Sequence, residues 1–453
     1  MQNTISPVKK KADAATWITA GIILAVYVAV FVLEQFLPAT SMLFTVLKKG
    51  ATYALVAVSM NLLNGFTGLF SLGQAGFMLI GAYTYAIFSM PMEARATVYQ
   101  YYDCAINVTL GVVPSLILAG LVAAAFAFLI GLPVLRLKSD YLAIATLGFA
   151  EIIRAVFQWQ KLGPVTNGSN MLKDYPTFND FNITLANGRT LYLSTLMPFI
   201  IAGVCIAIIV LLINSSYGRA FKAIREDEVA AEAMGIDLAR HKRMSFVISS
   251  FFAGVGGALL AMYMNQVQAK TFTSTMTYEI LLIVVLGGIG SVSGSVFAAF
   301  LYTACSEWWL RFLDVATVFK SAGDRWTFII VLAAAAVALT ALLVWRRRRS
   351  GAKKLSEMWA VFVPGAIVLA YDIYYAIAGG MEVPFLRAGF RMVVFSVIIM
   401  VVVLFFRRGL FGDRELPYIV RRLGLYIRKV VKYREAATKK AAAEAKKEAD
   451  GDE

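Results

Sequence analysis

Apolar runs of about 20 residues recur along the chain, and they constrain its fold more than any other feature of the sequence. A run of this length can cross the hydrocarbon core of a bilayer as a helix, which satisfies its own backbone hydrogen bonds. The sequence therefore predicts an all-α fold, a polytopic transmembrane helical bundle with some short or broken helices. The predicted spans are 17–37, 43–64, 71–90, 110–134, 141–160, 195–213, 244–265, 277–289, 292–308, 324–345, 358–378 and 386–406.

Charged residues are few, and their placement is uneven. They make up 16% of the chain, whereas soluble globular proteins contain about 25%. A net charge of +15 suggests a nucleic-acid partner at first sight. However, the basic residues lie in short loops and at the tail, where they orient membrane proteins. We therefore expect a lipid bilayer around the chain and no nucleic-acid partner.

The distribution of lysine and arginine also predicts the topology. With the N-terminus inside and 277–289 and 292–308 counted as two crossings, the inside segments hold 30 of these residues and the outside segments 7. If 277–308 were a single span, the basic run 346–354 would lie outside, against the positive-inside rule. The sequence therefore predicts about 12 crossings. Lys48 and Lys49, near the outer end of the second span, do not fit this pattern.

Patterns typical of catalysis and metal binding are missing from the sequence. Cys104, Cys205 and Cys305 lack a paired spacing and are interpreted as packing residues. His241 is the only histidine, which makes a histidine-based metal site or catalytic triad implausible. The sequence also lacks the G-x-x-x-x-G-K-[ST] loop that cradles nucleotide phosphates. We therefore expect no enzymatic activity, no catalytic residue, no metal and no cofactor bound by this chain.

The segment from Asn61 to Tyr83 combines glycines with polar side chains in apolar surroundings. Glycines let helices pack closely or break within the membrane, and polar groups at that depth need internal partners or a water-filled path. We interpret the segment as lining a translocation path, with tight helix packing as the alternative. The stretch from Val284 to Gly294 has a similar plan, which hints at an internal repeat. The candidate path residues are Asn61, Asn64, Gly65, Gly68, Ser71, Gln74, Gly287, Gly288 and Gly290.

Glu151 and Arg154 add a charged pair to these candidates. They lie three residues apart, on one face of a predicted membrane-spanning helix. One interpretation is that the two charges neutralise each other and serve the structure alone. The other is a polar contact near the substrate path.

A polar segment, Gly218–Gly235, lies between two long apolar runs. Ser215 or Ser216 can cap it as a helix, and Gly235 can end it. One arc of about 100° on this helix holds small and apolar residues, which suits docking into a groove on another protein, with a solvated loop helix as the alternative. The arc contains Ala220, Ala223, Ile224, Asp227, Ala231 and Met234, and the opposite face, taken as solvated, contains Lys222, Arg225, Glu226 and Glu232.

Several segments together resemble the permease subunits of branched-chain amino acid ABC importers, and among these the longer of the two paired permeases. The resemblance covers most of 45–305 and resumes at about 386–412, which ends in FFRRGLFG. The segments are Asn61–Tyr83, Leu135–Arg154, GRAFKAIREDEVAAEAMGI from Gly218, FVISSFFAGVGGALLAMY from Phe246, and VVLGGIGS from Val284.

This resemblance implies one half of an alternating-access path in the cytoplasmic (inner) membrane of a bacterium. The implied partners are a second permease in a heterodimer, two ATP-binding cassette subunits that use ATP and Mg, and a periplasmic substrate-binding protein. Leucine, isoleucine and valine are the implied cargo. The implied ATPase-docking residues are Gly218, Arg219, Ala220, Ala223, Ile224, Arg225, Glu226, Asp227, Ala230, Ala231, Met234 and Gly235.

Three departures from the family keep alternatives open. Residues 309–385 carry about two extra spans, Arg407 stands where proline is common, and TNGSNML, from Thr166 to Leu172, is less glycine-rich than usual. The third departure leaves import of urea or short amides as an alternative. An ion-coupled secondary transporter would need an unpaired intramembrane carboxylate, and a membrane-embedded enzyme would need catalytic groups.

The chain is accordingly divided into five parts. These are a cytoplasmic N-terminal tail (1–16), a permease core (17–308) with the docking helix at 218–235, an insertion (309–385), a terminal span of the family core (386–412) and a basic cytoplasmic tail (413–453).

Overall fold

The computed structural model describes residues 14–37, 41–137, 139–184, 190–310, 394, 400, 409–412 and 415. The chain divides into two compact units, Met1–Ala304 with Val402–Glu453, and Cys305–Val401. Only residues 305–310, 394 and 400 of the second unit are described. The predicted spans 324–345 and 358–378 lie outside the described residues, as do nearly all of the span 386–406 and of the insertion 309–385.

Helices form along the predicted apolar runs, and the all-α fold is confirmed. Five described helices are long and apolar enough to cross a membrane, or up to seven if each of two bent pairs is one span. The helices are α1 (Ala14–Phe36), α2 (Met42–Asn61), α3 (Gln74–Ser89), α4 (Met92–Val98), α5 (Val112–Val134), α6 (Ser139–Phe157), α7 (Gly163–Thr166), α8 (Leu196–Asn214), α9 (Ser216–Glu226), α10 (Glu228–Ala233), α11 (Leu238–Met264), α12 (Ser274–Gly287) and α13 (Val292–Ala304).

Short elements complete the described part of the chain. The strands β1 (Ile183–Thr184) and β2 (Thr190–Leu191) form an antiparallel pair. The 3-10 turns are Gln160–Leu162, Phe178–Phe181 and Ala269–Thr271, and the π-helical turns are Leu62–Phe66 and Cys305–Trp309.

Several of the predicted spans are bent or broken. The chain bends by 119° between α3 and α4, and by 65° between α6 and the turns that follow it. Residues 288–291 separate α12 from α13, so the predicted pieces 277–289 and 292–308 are indeed separate helices. The 14 residues of α12 rise about 1.5 Å each. This helix is therefore shorter than the hydrocarbon core, which is about 30 Å thick. The predicted number of crossings stays a prediction.

The core of the first unit lies where α11 packs against α2, α3 and α5. Glycines bring these helix backbones together. A Cβ atom at Gly81 of α3 would collide with backbone atoms of Gly254 on α11, and one at Gly257 would collide with the backbone of Met78. Small residues at such contacts allow close van der Waals packing, which is a main source of helix association in a membrane.

The outer faces of the long helices are apolar and open. Leu24 on α1, Leu129 on α5 and Leu211 on α8 are 66%, 62% and 71% exposed. In a chain with this many spans, such faces contact lipid or a neighbouring subunit instead of water.

Candidate docking and translocation site

The polar segment Gly218–Gly235 forms two short helices, α9 and α10, and the predicted single helix is wrong. Asp227 has an extended backbone, with φ −158° and ψ 113°, which ends α9. Its carboxylate then accepts hydrogen bonds of 2.9 and 3.1 Å from two backbone N–H groups of α10 and caps that helix. Helical periodicity cannot reveal this break, because the short aspartate side chain replaces helical hydrogen bonds with its own. Ser215 caps α9, and Gly235, at φ +83°, follows α10, both as predicted.

The break places the predicted stripe on two different surfaces. Ile224 and Ala231 are only 2% and 4% exposed and pack inwards together with Phe221. Met234 and Val229 are 83% and 78% exposed. The prediction that Ala231 and Met234 share one docking face is therefore wrong. The exposed apolar surface of this segment carries Met234 and Val229, and the sequence analysis missed Val229. Of the other predicted docking residues, Gly218 is buried, Ala220 and Ala223 are half-buried, and Arg219, Arg225, Glu226, Asp227, Ala230 and Gly235 are exposed.

The charged face of α9 contacts the membrane-spanning bundle. Arg225 Nη1 donates a hydrogen bond of 2.7 Å to the carbonyl oxygen of Gly65. Lys222 Nζ lies 5.6 Å from the centre of the Phe66 ring. Gly65 and Phe66 belong to the π-helical turn Leu62–Phe66, which directly follows α2. The expectation that this face is merely solvated is therefore wrong for Lys222 and Arg225.

An irregular stretch, residues 67–73, joins the π-helical turn to α3 and connects the helices of the predicted spans 43–64 and 71–90. Its polar groups bond within the protein. The side-chain oxygen of Asn64 accepts a hydrogen bond of 3.2 Å from the backbone N–H of Ser71. Gln74 donates one of 2.8 Å to a hydroxyl of α2. Ser71 and Gln74 are each 2% exposed. Asn64 is half-buried and Gly68 is exposed, so these two candidates have surface that a path can reach.

Asn61 joins the two glycine-containing segments. Its Nδ2 donates hydrogen bonds of 2.8 Å to Ser295 Oγ and 2.9 Å to the carbonyl oxygen of Ser291. Its Oδ1 accepts one of 2.8 Å from the backbone N–H of Gly290. Gly288 and Gly290 adopt φ +118° and +92°, a region that favours glycine, and this lets the α12–α13 turn present its backbone polar groups to Asn61. The predicted path residues Asn61, Gly288 and Gly290 therefore form one hydrogen-bonded cluster.

The sequence GLFG, residues 409–412, is hydrogen-bonded to the end of α12 at the same turn. The N–H groups of Leu410 and Phe411 donate hydrogen bonds of 2.8 and 3.2 Å to the last two carbonyl groups of α12. The carboxylate of Glu415 accepts hydrogen bonds of 2.8 and 3.0 Å from the first two N–H groups of α13. A negative charge is favourable at the N-terminus of a helix. The sequence analysis matched GLFG to the family but gave it no role.

Glu151 and Arg154 form the predicted ion pair, with 2.6 Å between Arg154 Nη2 and Glu151 Oε2. The hydroxyl of Ser274, on α12, donates to the other carboxylate oxygen. The side chains of Arg154 and Glu151 are 30% and 37% exposed. Charged groups that are open on a membrane-spanning helix face protein or a water-filled cavity, because lipid cannot solvate them.

A second charged cluster, with a buried carboxylate and a half-buried lysine, was missed by the sequence analysis. Glu34 on α1 is 5% exposed, and its Oε1 accepts a hydrogen bond of 2.8 Å from Ser194 Oγ. Lys48 Nζ donates one of 2.8 Å to the same hydroxyl and lines a cavity of about 200 Å³. The available signals were a carboxylate inside the apolar run 17–37 and a lysine that did not fit the predicted topology.

Comparison with known proteins gives consistent matches over this region. The family described as the permease component of branched-chain amino acid transport systems matches residues 42–344. The high-affinity branched-chain amino acid transport system permease protein LivM of Salmonella typhimurium is 34% identical over 275 residues, which is 56% of this chain and 60% of the relative. LivM of Escherichia coli is 34% identical over 276 residues, with the same coverage. LivH of Salmonella typhimurium is 25% identical over 274 residues, 58% of this chain and 83% of the relative.

The match thus spans 60% of the length of the LivM relatives, and no solved structure matches the chain. The family match extends past residue 308 into the segment predicted as an insertion. It covers well over half of the 453 residues. The chain is a multi-pass membrane protein and belongs to the family of permease components of branched-chain amino acid transport systems.

Proposed function

We propose that the chain is the permease subunit of an ATP-driven importer in the inner membrane of a bacterium, and that it moves leucine, isoleucine and valine by alternating access. Its proposed partners are a second permease, two ATPase subunits and a periplasmic binding protein. ATP and Mg are used by the ATPase subunits, and this chain binds no cofactor. Family membership and the names of the LivM and LivH relatives support this proposal.

The arrangement of α9 and α10 is the structural observation that supports the proposal best. Val229 on α10 and Met234, the residue that follows α10, are apolar and largely exposed. The inner surface of α9 buries Phe221 and Ile224 and hydrogen-bonds the π-helical turn through Arg225. An apolar surface of this kind fits a groove on another protein. A partner bound to this surface would contact the segment α9–α10, whose other side is bonded to the π-helical turn after α2.

Alternating access needs two states that the partners contact differently. In this proposal, ATP binding and hydrolysis change the position of the ATPase subunits and move α9 and α10 relative to the bundle. Residues 67–73 and 288–291 are two non-helical connections at which the chain can bend during this movement. The Glu151–Arg154 pair is the charged contact proposed to face the path.

Reconstitution tests the proposal. The chain is purified with the second permease and ATPase subunits encoded by neighbouring reading frames, and the complex is placed in liposomes with ATP inside and the binding protein outside. We expect uptake of radiolabelled leucine that requires both ATP and the binding protein. Uptake that continues without ATP and follows an ion gradient would instead identify a secondary transporter. Uptake of radiolabelled urea or acetamide in place of leucine would contradict the proposed cargo.

A further inference from the structure

Arg225, Gly65 and Gly290 meet at a single point, although they belong to three different segments of the chain. Arg225 Nη1 lies 2.7 Å from the carbonyl oxygen of Gly65. A Cβ atom at Gly290 would lie 2.8 Å from the same Nη1, and a Cβ atom at Gly65 would lie 2.6 Å from the backbone nitrogen of Gly290. No side chain larger than hydrogen fits at either glycine without displacing a neighbour. The guanidinium therefore contacts both broken spans at once.

The stem of Arg225 packs against Gly68 on one side, although the residue as a whole is exposed. A Cβ atom at Gly68 would lie 3.2 Å from Arg225 Cα and 3.3 Å from Arg225 Cγ. Phe221 and Ile224, on the same helix, are 0% and 2% exposed. Glu226, the acidic neighbour, lies 4.0 Å from Arg225 Nε and is 79% exposed, so it competes weakly for the guanidinium. Movement of α9 would therefore change the contacts that Arg225 makes with Gly65 and Gly68.

The position of Gly65 explains why it is able to accept this hydrogen bond. It is the last residue but one of the π-helical turn, and the last carbonyl groups of a helical segment have no partner within that segment. An arginine is always charged and offers several donors in a fixed plane, so it holds a carbonyl oxygen in a defined direction. Four residues before Gly65, Asn61 bonds the N–H of Gly290. The π-helical turn is thus bonded to Arg225, and Asn61, the last residue of α2, is bonded to the turn between α12 and α13.

We propose that Arg225 is a positioning residue that transmits movement of α9 and α10 to the α2 and α12–α13 breaks. It acts through the carbonyl group of Gly65 and its contact with Gly290. This inference rests on the proposed function, since a bound ATPase is what moves α9 and α10. It assigns the transmission of movement to the side chain of Arg225, whereas the exposed surface of α10 binds the partner.

The test uses the whole complex in proteoliposomes, with Arg225→Gln and Arg225→Lys as variants and Arg240→Gln as the matched control. Arg240 is an exposed arginine near the start of α11. Three quantities are measured: co-purification of the ATPase subunits, leucine uptake per ATP hydrolysed, and the rate of maleimide labelling of Ile289→Cys in a variant without Cys104, Cys205 and Cys305. Ile289 lies in the turn beside Gly290 and is 46% exposed. Labelling is compared with and without ATP and vanadate.

For Arg225→Gln we expect normal co-purification, a loss of about tenfold in uptake per ATP, and no change in labelling upon addition of ATP. Arg225→Lys should recover part of the uptake, because it keeps the charge and most of the stem. Arg240→Gln should behave as the native chain. The inference is overturned if Arg225→Gln keeps both uptake and the ATP-dependent labelling change. If the native complex shows no ATP-dependent uptake, the proposed function fails, and this inference fails with it. A merely structural role of Arg225 would lower co-purification and thermal stability and would leave the uptake per ATP of the surviving complex unchanged.

Discussion

Asn61 Oδ1 and the backbone N–H of Gly290 are joined by a hydrogen bond of 2.8 Å, although the two residues are 229 positions apart in the chain. The bond fixes the end of α2 against the turn between α12 and α13. The sequence analysis predicted that both residues line a path, because they are a polar residue and a glycine in apolar surroundings. The structure shows instead how they hold each other, and this suggests how the permease can be tested.

Replacement of Asn61 by alanine should lower both thermal stability and uptake. The change removes a buried amide and leaves the half-buried N–H of Gly290 without its acceptor, which costs about 1–3 kcal/mol. The melting temperature of the purified permease in detergent measures this loss. Asn214→Ala is the control, because Asn214 is exposed and bonds only to a carbonyl group of its own helix in the described structure. Equal melting temperatures for the two variants would show that the Asn61 bonds contribute nothing.

The ion pair between Glu151 and Arg154 predicts a non-additive mutant cycle. Glu151→Gln alone should destabilise the permease more than the double change to glutamine at both positions, because it leaves the Arg154 charge without its partner on a membrane-spanning helix. The coupling energy should fall at about 0.5–3 kcal/mol. The pair of Lys242 and Glu228, at 2.6 Å and outside the spans predicted from the sequence, is the matched control. Its coupling should stay below about 1 kcal/mol. A double variant of the membrane pair that equals the sum of its singles contradicts mutual neutralisation.

The exposed surface of α10 should bind the ATPase. Met234→Asp or Val229→Asp should abolish co-purification of the ATPase subunits and leave the melting temperature of the permease nearly unchanged, because exposed substitutions usually change stability by less than about 0.5 kcal/mol. Ala231→Trp should do the reverse, since Ala231 is 4% exposed and overpacking costs about 1–3 kcal/mol. If both aspartate variants retain the ATPase, α10 is not the docking surface.

Gly81 should tolerate no larger residue. Its missing Cβ lets α3 approach α11 at Gly254, so Gly81→Val should force the helices apart and cost about 1–3 kcal/mol or more. The melting temperature and the yield of folded permease measure the effect. Gly148→Val is the control, because a Cβ atom there meets nothing within 4 Å. A Gly81→Val protein as stable as the control would show that close packing at this contact is not needed.

The basic loop 346–354 and the C-terminal tail should both lie in the cytoplasm. The prediction follows from the 30 basic residues in predicted inside segments against 7 in outside ones. Reporter fusions after residues 350 and 430 measure it directly. A periplasmic signal at either fusion point rules out the twelve-crossing topology.

Local patterns in the sequence predicted a large part of this architecture. Apolar length predicted the helices, because a bilayer requires each span to satisfy its own backbone. Gly287, Gly288 and Gly290 predicted the break at 288–291, and the spacing of Glu151 and Arg154 predicted their ion pair. All of these depend on residues that are close together in the chain.

Contacts between distant segments were decided by the tertiary structure. The break at Asp227 places the two parts of the predicted stripe on different surfaces. The Asp227 carboxylate replaces helical hydrogen bonds with its own, and a helical wheel does not represent such a break. The bond between Arg225 and Gly65 joins residues 160 positions apart, and Glu34 reaches Lys48 through Ser194 in the turn before α8. Helical periodicity reports which face of a helix is apolar. It does not report which partner a charged side chain finds, because that depends on how the helices pack.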